Sequence, residues 1–77
     1  MPTIIRQGGF LIQIPTADHE PAHVHCVRDD KEIVVEIETL RIRRTRGNPK
    51  VQDIRAAVQI VAEHGDTLLK KWSEYHG

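Results

Sequence analysis

The chain has 77 residues, of which 39% are hydrophobic and 4% aromatic, with 11 basic and 11 acidic side chains and no net charge. A chain this short forms one domain with a thin core, burying about 60–65% of its unfolded surface. It lacks the globally basic footprint of a dedicated nucleic-acid-binding domain, has one cysteine and so no internal disulfide, and holds no stretch near the roughly 20 apolar residues of a membrane helix.

A domain at this size limit gains robustness from a metal or a partner subunit when no disulfide is available. The single thiol suits a reducing cytosol. The start MPTIIRQGGF has neither the apolar run nor the small-residue cleavage site of a signal peptide, so a cytoplasmic location is expected. The charge is unevenly spread. Residues 1–40 carry three basic and seven acidic groups, net −4, whereas residues 41–77 carry eight and four, net +4. Such a dipolar chain suits self-association or a charged partner.

In chain order, residues 3–6 form a short β-like run, and Gln7-Gly8-Gly9 reads as a turn. A second strand spans 10–14, where Phe10, Ile12 and Ile14 alternate with Leu11 and Gln13. Residues 15–21 form a loop bounded by two prolines. Strands over 22–28 and 32–38 follow, joined by a tight turn at Asp29-Asp30. That turn sets a register in which Arg28 faces Lys31, Cys26 faces Ile33, His25 faces Val34 and His23 faces Glu36. Side chains alternate between faces of a sheet. Ala22, Val24 and Cys26 therefore share an apolar face with Ile33, Val35 and Ile37. His23, His25 and Val27 project from the other face with Glu32, Val34 and Glu36. A slip of one residue would bury both histidines and expose the apolar set.

Leu40-Arg41-Ile42-Arg43 alternates and extends the sheet. Asn48-Pro49 reads as a helix start, with Asn as cap and Pro in the first turn. Val51, Ile54, Val58 and Val61 recur at helical spacing, and the stripe resumes in phase at Leu68, Trp72 and Tyr75. Gly65-Asp66 interrupts it, either as a kink or as the end of one helix and the cap of a second; the preserved phase favours a nearly continuous rod. The expected fold is α+β: an antiparallel meander of three to four strands followed by a C-terminal helix over about 49–75, kinked or broken near Gly65 and packed on one face.

The segment DHEPAHVHC, residues 18–26, concentrates the chemistry. His23 and His25 lie about 6.6 Å apart along a strand, close enough for both imidazoles to converge on one ion. His19 or Asp18 from the adjoining loop can supply a third ligand, with Glu36 as the acceptor that orients one imidazole. A catalytic zinc needs three such ligands and an open position, so zinc or another transition metal is the cofactor class this set would hold. His23 and His25 also suit metal-independent acid–base cleavage of RNA, since histidine titrates near working pH. The cations for that chemistry would come from Arg41, Arg43, Arg44, Arg46, Lys50 and Arg55, which form a partner or RNA surface. With Phe10, Trp72 and Tyr75 as the only aromatics, and at least two of them expected in the core, base stacking is poorly supported. The third alternative is a polar sheet face, with His23 paired to Glu36 and covered by a partner chain. His64 is expected at a helix C-terminus and His76 in a frayed tail, neither as a ligand. Cys26 is expected as a buried small hydrophobe rather than a nucleophile.

The start MPTI, the GGF, the segment DHEPAHVH, the Arg46-Gly47 pair before a helix and the late Trp72 followed by a short tail together resemble the small bacterial family described as domain of unknown function 4160. The resemblance spans essentially the whole chain. Its most specific part is an acidic-His-x-Pro-x-His-hydrophobic-His motif, here Asp18, His19, Pro21, His23, Val24 and His25. Two positions depart from it: Ala22 stands where members usually carry a second proline, and Cys26 replaces an aliphatic residue. The resemblance attaches no reaction to the chain. It implies a gene arrangement like that of toxin–antitoxin pairs, and hence a small cognate protein as partner, alongside self-association.

Overall fold

A computed structural model describes all 77 residues. Five antiparallel strands, β1 (Thr3–Gln7), β2 (Phe10–Gln13), β3 (His23–Arg28), β4 (Lys31–Glu36) and β5 (Ile42–Arg46), form one sheet in the order β1-β2-β3-β4-β5. Two helices follow, α1 (Val51–Glu63) and α2 (Gly65–His76). The α+β meander expected from the sequence is present, with five strands rather than three or four.

The turns explain the meander. Gly8 and Gly9 both have positive φ, 58° and 78°, the conformation that a two-residue hairpin turn needs and glycine supplies without steric cost. Asp29 takes the corresponding position in the β3–β4 turn with φ 55°. The β3–β4 register is the one the turn implies: His23 opposite Glu36, His25 opposite Val34, Cys26 opposite Ile33 and Arg28 opposite Lys31.

Four local expectations are corrected. The fifth strand begins at Ile42, because Leu40 sits in a turn with φ 62° and its N–H bonds back to the Glu36 carbonyl. Asn48 does not cap α1. Gly47 and Asn48 are both left-handed, with φ 76° and 51°, and the helix instead starts from Lys50, whose N–H donates to Asp53 Oδ2 at 2.8 Å. A Cβ on Gly47 would lie 2.2 Å from the Asp30 carbonyl oxygen, so only glycine fits there. Val51 and Tyr75 are exposed rather than members of the buried stripe. His76 is not frayed: its ring stacks on Trp72 at a centroid distance of 3.7 Å, and its Nδ1–H donates to the Trp72 carbonyl.

The two helices are separated by His64 alone, and the hydrogen bonds His64 N–H to Ile60 O and Leu68 N–H to His64 O carry the ladder across the junction. They present Ala57, Ile60, Val61, Leu68 and Trp72 to one face of the sheet. That face contributes Phe10, Ile12, Val24, Cys26, Ile33 and Val35, all essentially buried. Each such side chain contributes about 1.5–3 kcal/mol through removal from water. Cys26 lies within this layer, and burial pushes its thiol up to about 12, as expected for an inert hydrophobe.

Candidate metal centre

The opposite face of the sheet carries the chemistry. His23 and His25 lie on it, yet they are only 2% and 6% exposed, more enclosed than a solvated sheet face would leave them. Their ring centroids are 5.8 Å apart. The loop between β2 and β3 closes over them and is held at two points. Asp18 Oδ2 lies 2.9 Å from His23 Nε2, and Glu20 accepts a hydrogen bond from the Trp72 indole N–H at 3.0 Å. Trp72 in turn lies 5.2 Å from the His23 ring, which ties the site to the helical layer.

Each imidazole is oriented by a different partner. His25 Nδ1–H donates to Glu32 Oε2 at 3.0 Å. Since an ionised carboxylate only accepts, Nδ1 carries a proton, and in the neutral ring the other nitrogen, Nε2, presents a lone pair. His25 Nε2 is buried and has no hydrogen-bond partner. A buried polar atom left in that state costs about 1–3 kcal/mol.

His23 is contacted on both nitrogens. Nε2 faces Asp18, while Nδ1 lies 2.8 Å from the Pro21 carbonyl and 3.0 Å from Arg43 Nη1. The two contacts at Nδ1 exclude one another, because a carbonyl only accepts and a guanidinium only donates. With the proton on Nε2, the ring donates to Asp18 and accepts from Arg43. With a proton on Nδ1, it donates to Pro21 and Arg43 loses its acceptor. Asp18 itself is held below its ordinary carboxylate value, chiefly by the hydrogen bond from His23. Desolvation opposes this, and the nearby charge of Arg43 and of the two histidines when protonated adds to it.

Asp18, His23 and His25 can each present one ligand atom such that all three lie within 4.8 Å of one another. Ligands on one tetrahedral ion, each at about 2.1 Å, are about 3.4 Å apart, so binding would require closure of up to about 1.4 Å. The three residues line a pocket of about 140 Å³ together with Val34, Arg43 and Arg44.

Of the four residues singled out as ligands, the structure therefore converges Asp18, His23 and His25. His19 is exposed and outside the converging set, although it borders a neighbouring depression that Asp18, His23 and Arg43 also line. Glu36 lies opposite His23 in the backbone register but does not pair with it, because Asp18 has taken Nε2 and the Thr39 hydroxyl donates to Glu36 at 2.7 Å. The orienting carboxylate is Glu32, a diagonal cross-strand neighbour of His25 on the same face. Among the basic residues, Arg43 and Arg44 reach the pocket. Arg46 lies beside Glu32 at 3.9 Å, and Arg41, Lys50 and Arg55 are exposed and line none of its wall. His64 bonds Gln7 at 2.8 Å, away from the site.

These features define a small α+β domain with a two-histidine, one-carboxylate cluster on the sheet face opposite its helices. The family described as "Domain of unknown function (DUF4160)" matches residues 9–73, and the chain belongs to that family. Comparison with curated proteins and with solved structures finds no match. No helix is long and apolar enough to cross a membrane.

Proposed function

We propose that this protein binds a divalent transition-metal ion, zinc or a similar metal, through Asp18, His23 and His25, and that the ion is an open, Lewis-acid centre rather than a structural one. The observation that carries this reading is the unpartnered Nε2 of His25, buried beside Asp18 and His23 with its opposite nitrogen already donating to a carboxylate. Metal-bound histidines characteristically donate their remaining N–H to a carboxylate or a backbone carbonyl. Glu32 has that role for His25, and the Pro21 carbonyl is placed to take it for His23. Two nitrogens and one carboxylate oxygen suit zinc, iron(II) and their neighbours. Three protein ligands leave coordination positions free on the pocket side. Metal-independent acid–base catalysis by His23 and His25 is the alternative reading of the same pocket, and metal content separates the two.

The reading is tested by purifying the protein under native conditions and measuring its metal content. Near-stoichiometric metal is expected, and His23→Ala with His25→Ala should abolish it. Wild-type protein that neither carries nor takes up zinc, manganese, iron(II) or cobalt would sink the proposal.

A second reading concerns a partner, as expected for one member of a toxin–antitoxin-like pair in the cytoplasm. It is supported by β5, an edge strand whose five residues are all exposed and include three arginines. An edge strand is a template for strand addition, and its charge favours an acidic segment. Pairing β5 with its own copy would set arginine against arginine. Arg41→Glu with Arg46→Glu should abolish co-purification of the neighbouring gene product; unchanged co-purification would rule β5 out as the interface.

A further inference from the structure

Resting on the metal reading, we infer that the open side of the Asp18–His23–His25 centre binds a phosphate dianion, free or as a terminal phosphate monoester, between the metal ion and the guanidinium groups of Arg43 and Arg44.

The geometry begins with a backbone irregularity. Arg44 pairs with Val34 and Ile42 with Val35, so the β4–β5 register shifts and Arg43 is an extra residue in its strand. In a regular strand, consecutive side chains point to opposite faces. The bulge re-aims Arg43, and both arginines line the pocket of Asp18, His23 and His25. Regular alternation would have delivered only Arg44 of this adjacent pair to the pocket; the bulge delivers both.

Neither arginine forms an ion pair: the pairs of β5 and its neighbour β4 are Arg46 with Glu32 and Lys31 with Asp30, and Arg43 acts on Asp18 only at longer range. Arg43 spends its hydrogen bond on His23 Nδ1. Metal binding at Nε2 would place the remaining ring proton on Nδ1, where it donates to the Pro21 carbonyl. Arg43 would then face a proton instead of a lone pair and be released toward the pocket. Loading the metal thus prepares the anion site.

Charge and size select the ligand. A divalent ion and two guanidinium groups against the single ligand carboxylate leave the pocket strongly positive, and a dianion restores the balance. Guanidinium forks match phosphate oxygens in spacing and direction. The pocket is about 140 Å³, its one hydrophobic lining residue is Val34, and no aromatic ring other than the two imidazoles borders it. It offers no platform for a nucleobase. A carboxylate would bring one charge and two oxygens, one of which the metal would take. A phosphate keeps three oxygens for the metal and both arginines.

The test uses the whole protein loaded with cobalt(II), whose visible spectrum reports its coordination, titrated with inorganic phosphate by calorimetry. One phosphate should bind per cobalt and shift the visible bands. Arg43→Gln and Arg44→Gln should each weaken phosphate binding, scored per bound cobalt, by about tenfold or more, the effect of losing one charge-assisted contact. Lys70→Gln, on the far helix, should leave it unchanged. Metal-free protein should bind phosphate more weakly than the cobalt form. Cobalt uptake without phosphate binding, unchanged affinity in Arg44→Gln, or acetate binding as tightly as phosphate would each overturn this inference alone. Wild-type protein that takes up no cobalt would overturn it together with the metal reading.

Discussion

The two faces of the sheet are built from the same strands and each encloses side chains of β3, yet they differ in what burial leaves unsatisfied. On the helical side, Val24, Cys26, Ile33 and Val35 have no hydrogen-bonding side-chain groups that need partners beyond a weak thiol, and they are enclosed by α1 and α2. On the other side, His23 and His25 alternate with those same residues along β3, nearly as enclosed, and one ring nitrogen is left without a partner. Low exposure alone would class both faces as core. The orphaned nitrogen of His25 separates the two sheet faces; the other buried nitrogen without a partner, His76 Nε2, lies at the end of α2 and not on the sheet, and each such atom calls for an explanation.

The largest effect should come from the helical face. Phe10 is 1% exposed and its ring carries the Arg28 guanidinium at 4.1 Å. Phe10→Ala should cost about 3–5 kcal/mol, read as a drop in the urea midpoint. For a domain whose total stability is of the order of 5–15 kcal/mol, that approaches unfolding. A loss below about 1 kcal/mol would mean the layer repacks freely and the contrast between the faces is weaker than drawn.

The histidine face should respond in the opposite way. His25→Leu removes the orphaned nitrogen and leaves Glu32 partly in water beside Arg46, so metal-free stability should change by less than about 1 kcal/mol. Wild-type protein should gain about 2.7 kcal/mol at a free metal concentration one hundred times its dissociation constant, and the variant should gain none. Urea titrations with and without zinc measure both numbers. A loss of several kcal/mol in the metal-free variant would make His25 a structural residue and remove the distinction between the faces.

How much of this was readable in advance varies with the length scale of the signal. The β3–β4 register was legible because two independent constraints agree there, a two-residue turn and an apolar alternation that only one register keeps on one side. Convergence of His23 and His25 follows directly from it. The third ligand was not resolvable between Asp18 and His19, because a loop side chain is placed by tertiary contacts such as Glu20 with Trp72, 52 residues away. A register shows the direct opposition of Glu36 and His23, whereas the diagonal contact of Glu32 with His25 depends on rotamers. Arg43 is named among the surface cations, but its turn into the histidine pocket is not legible, for a further reason. A bulge has no signature in an alternating stretch, and the run from Leu40 resembles a strand up to the point where Leu40 turns left-handed. Asn48-Pro49 misled similarly: it is a strong local cap signal, overridden by the turn that Gly47 makes against Asp30.

The smallest effect should come from Asp53, which ties the start of α1 to the sheet through Lys50 N–H at 2.8 Å and Arg28 at 2.5 Å. The Lys50 N–H, and after it Arg28, hold its carboxyl below the ordinary value of 3.8, against an opposing contribution from desolvation. Because the folded-state value lies below the unfolded one, the stabilisation is fully present above the ordinary value and is lost as pH falls through the folded value. Asp53→Asn should therefore lower stability modestly at neutral pH and flatten the acid limb, so that variant and wild type converge in strong acid. Thermal melts across an acid series would show it. Arg28 keeps its contacts with Phe10 and the Gly8 carbonyl, so the helical layer should stay docked, and metal affinity at neutral pH should match wild type. A variant that loses metal affinity would show that the two faces are coupled through the sheet, and that the histidine centre depends on how α1 is anchored as well as on the loop that carries Asp18.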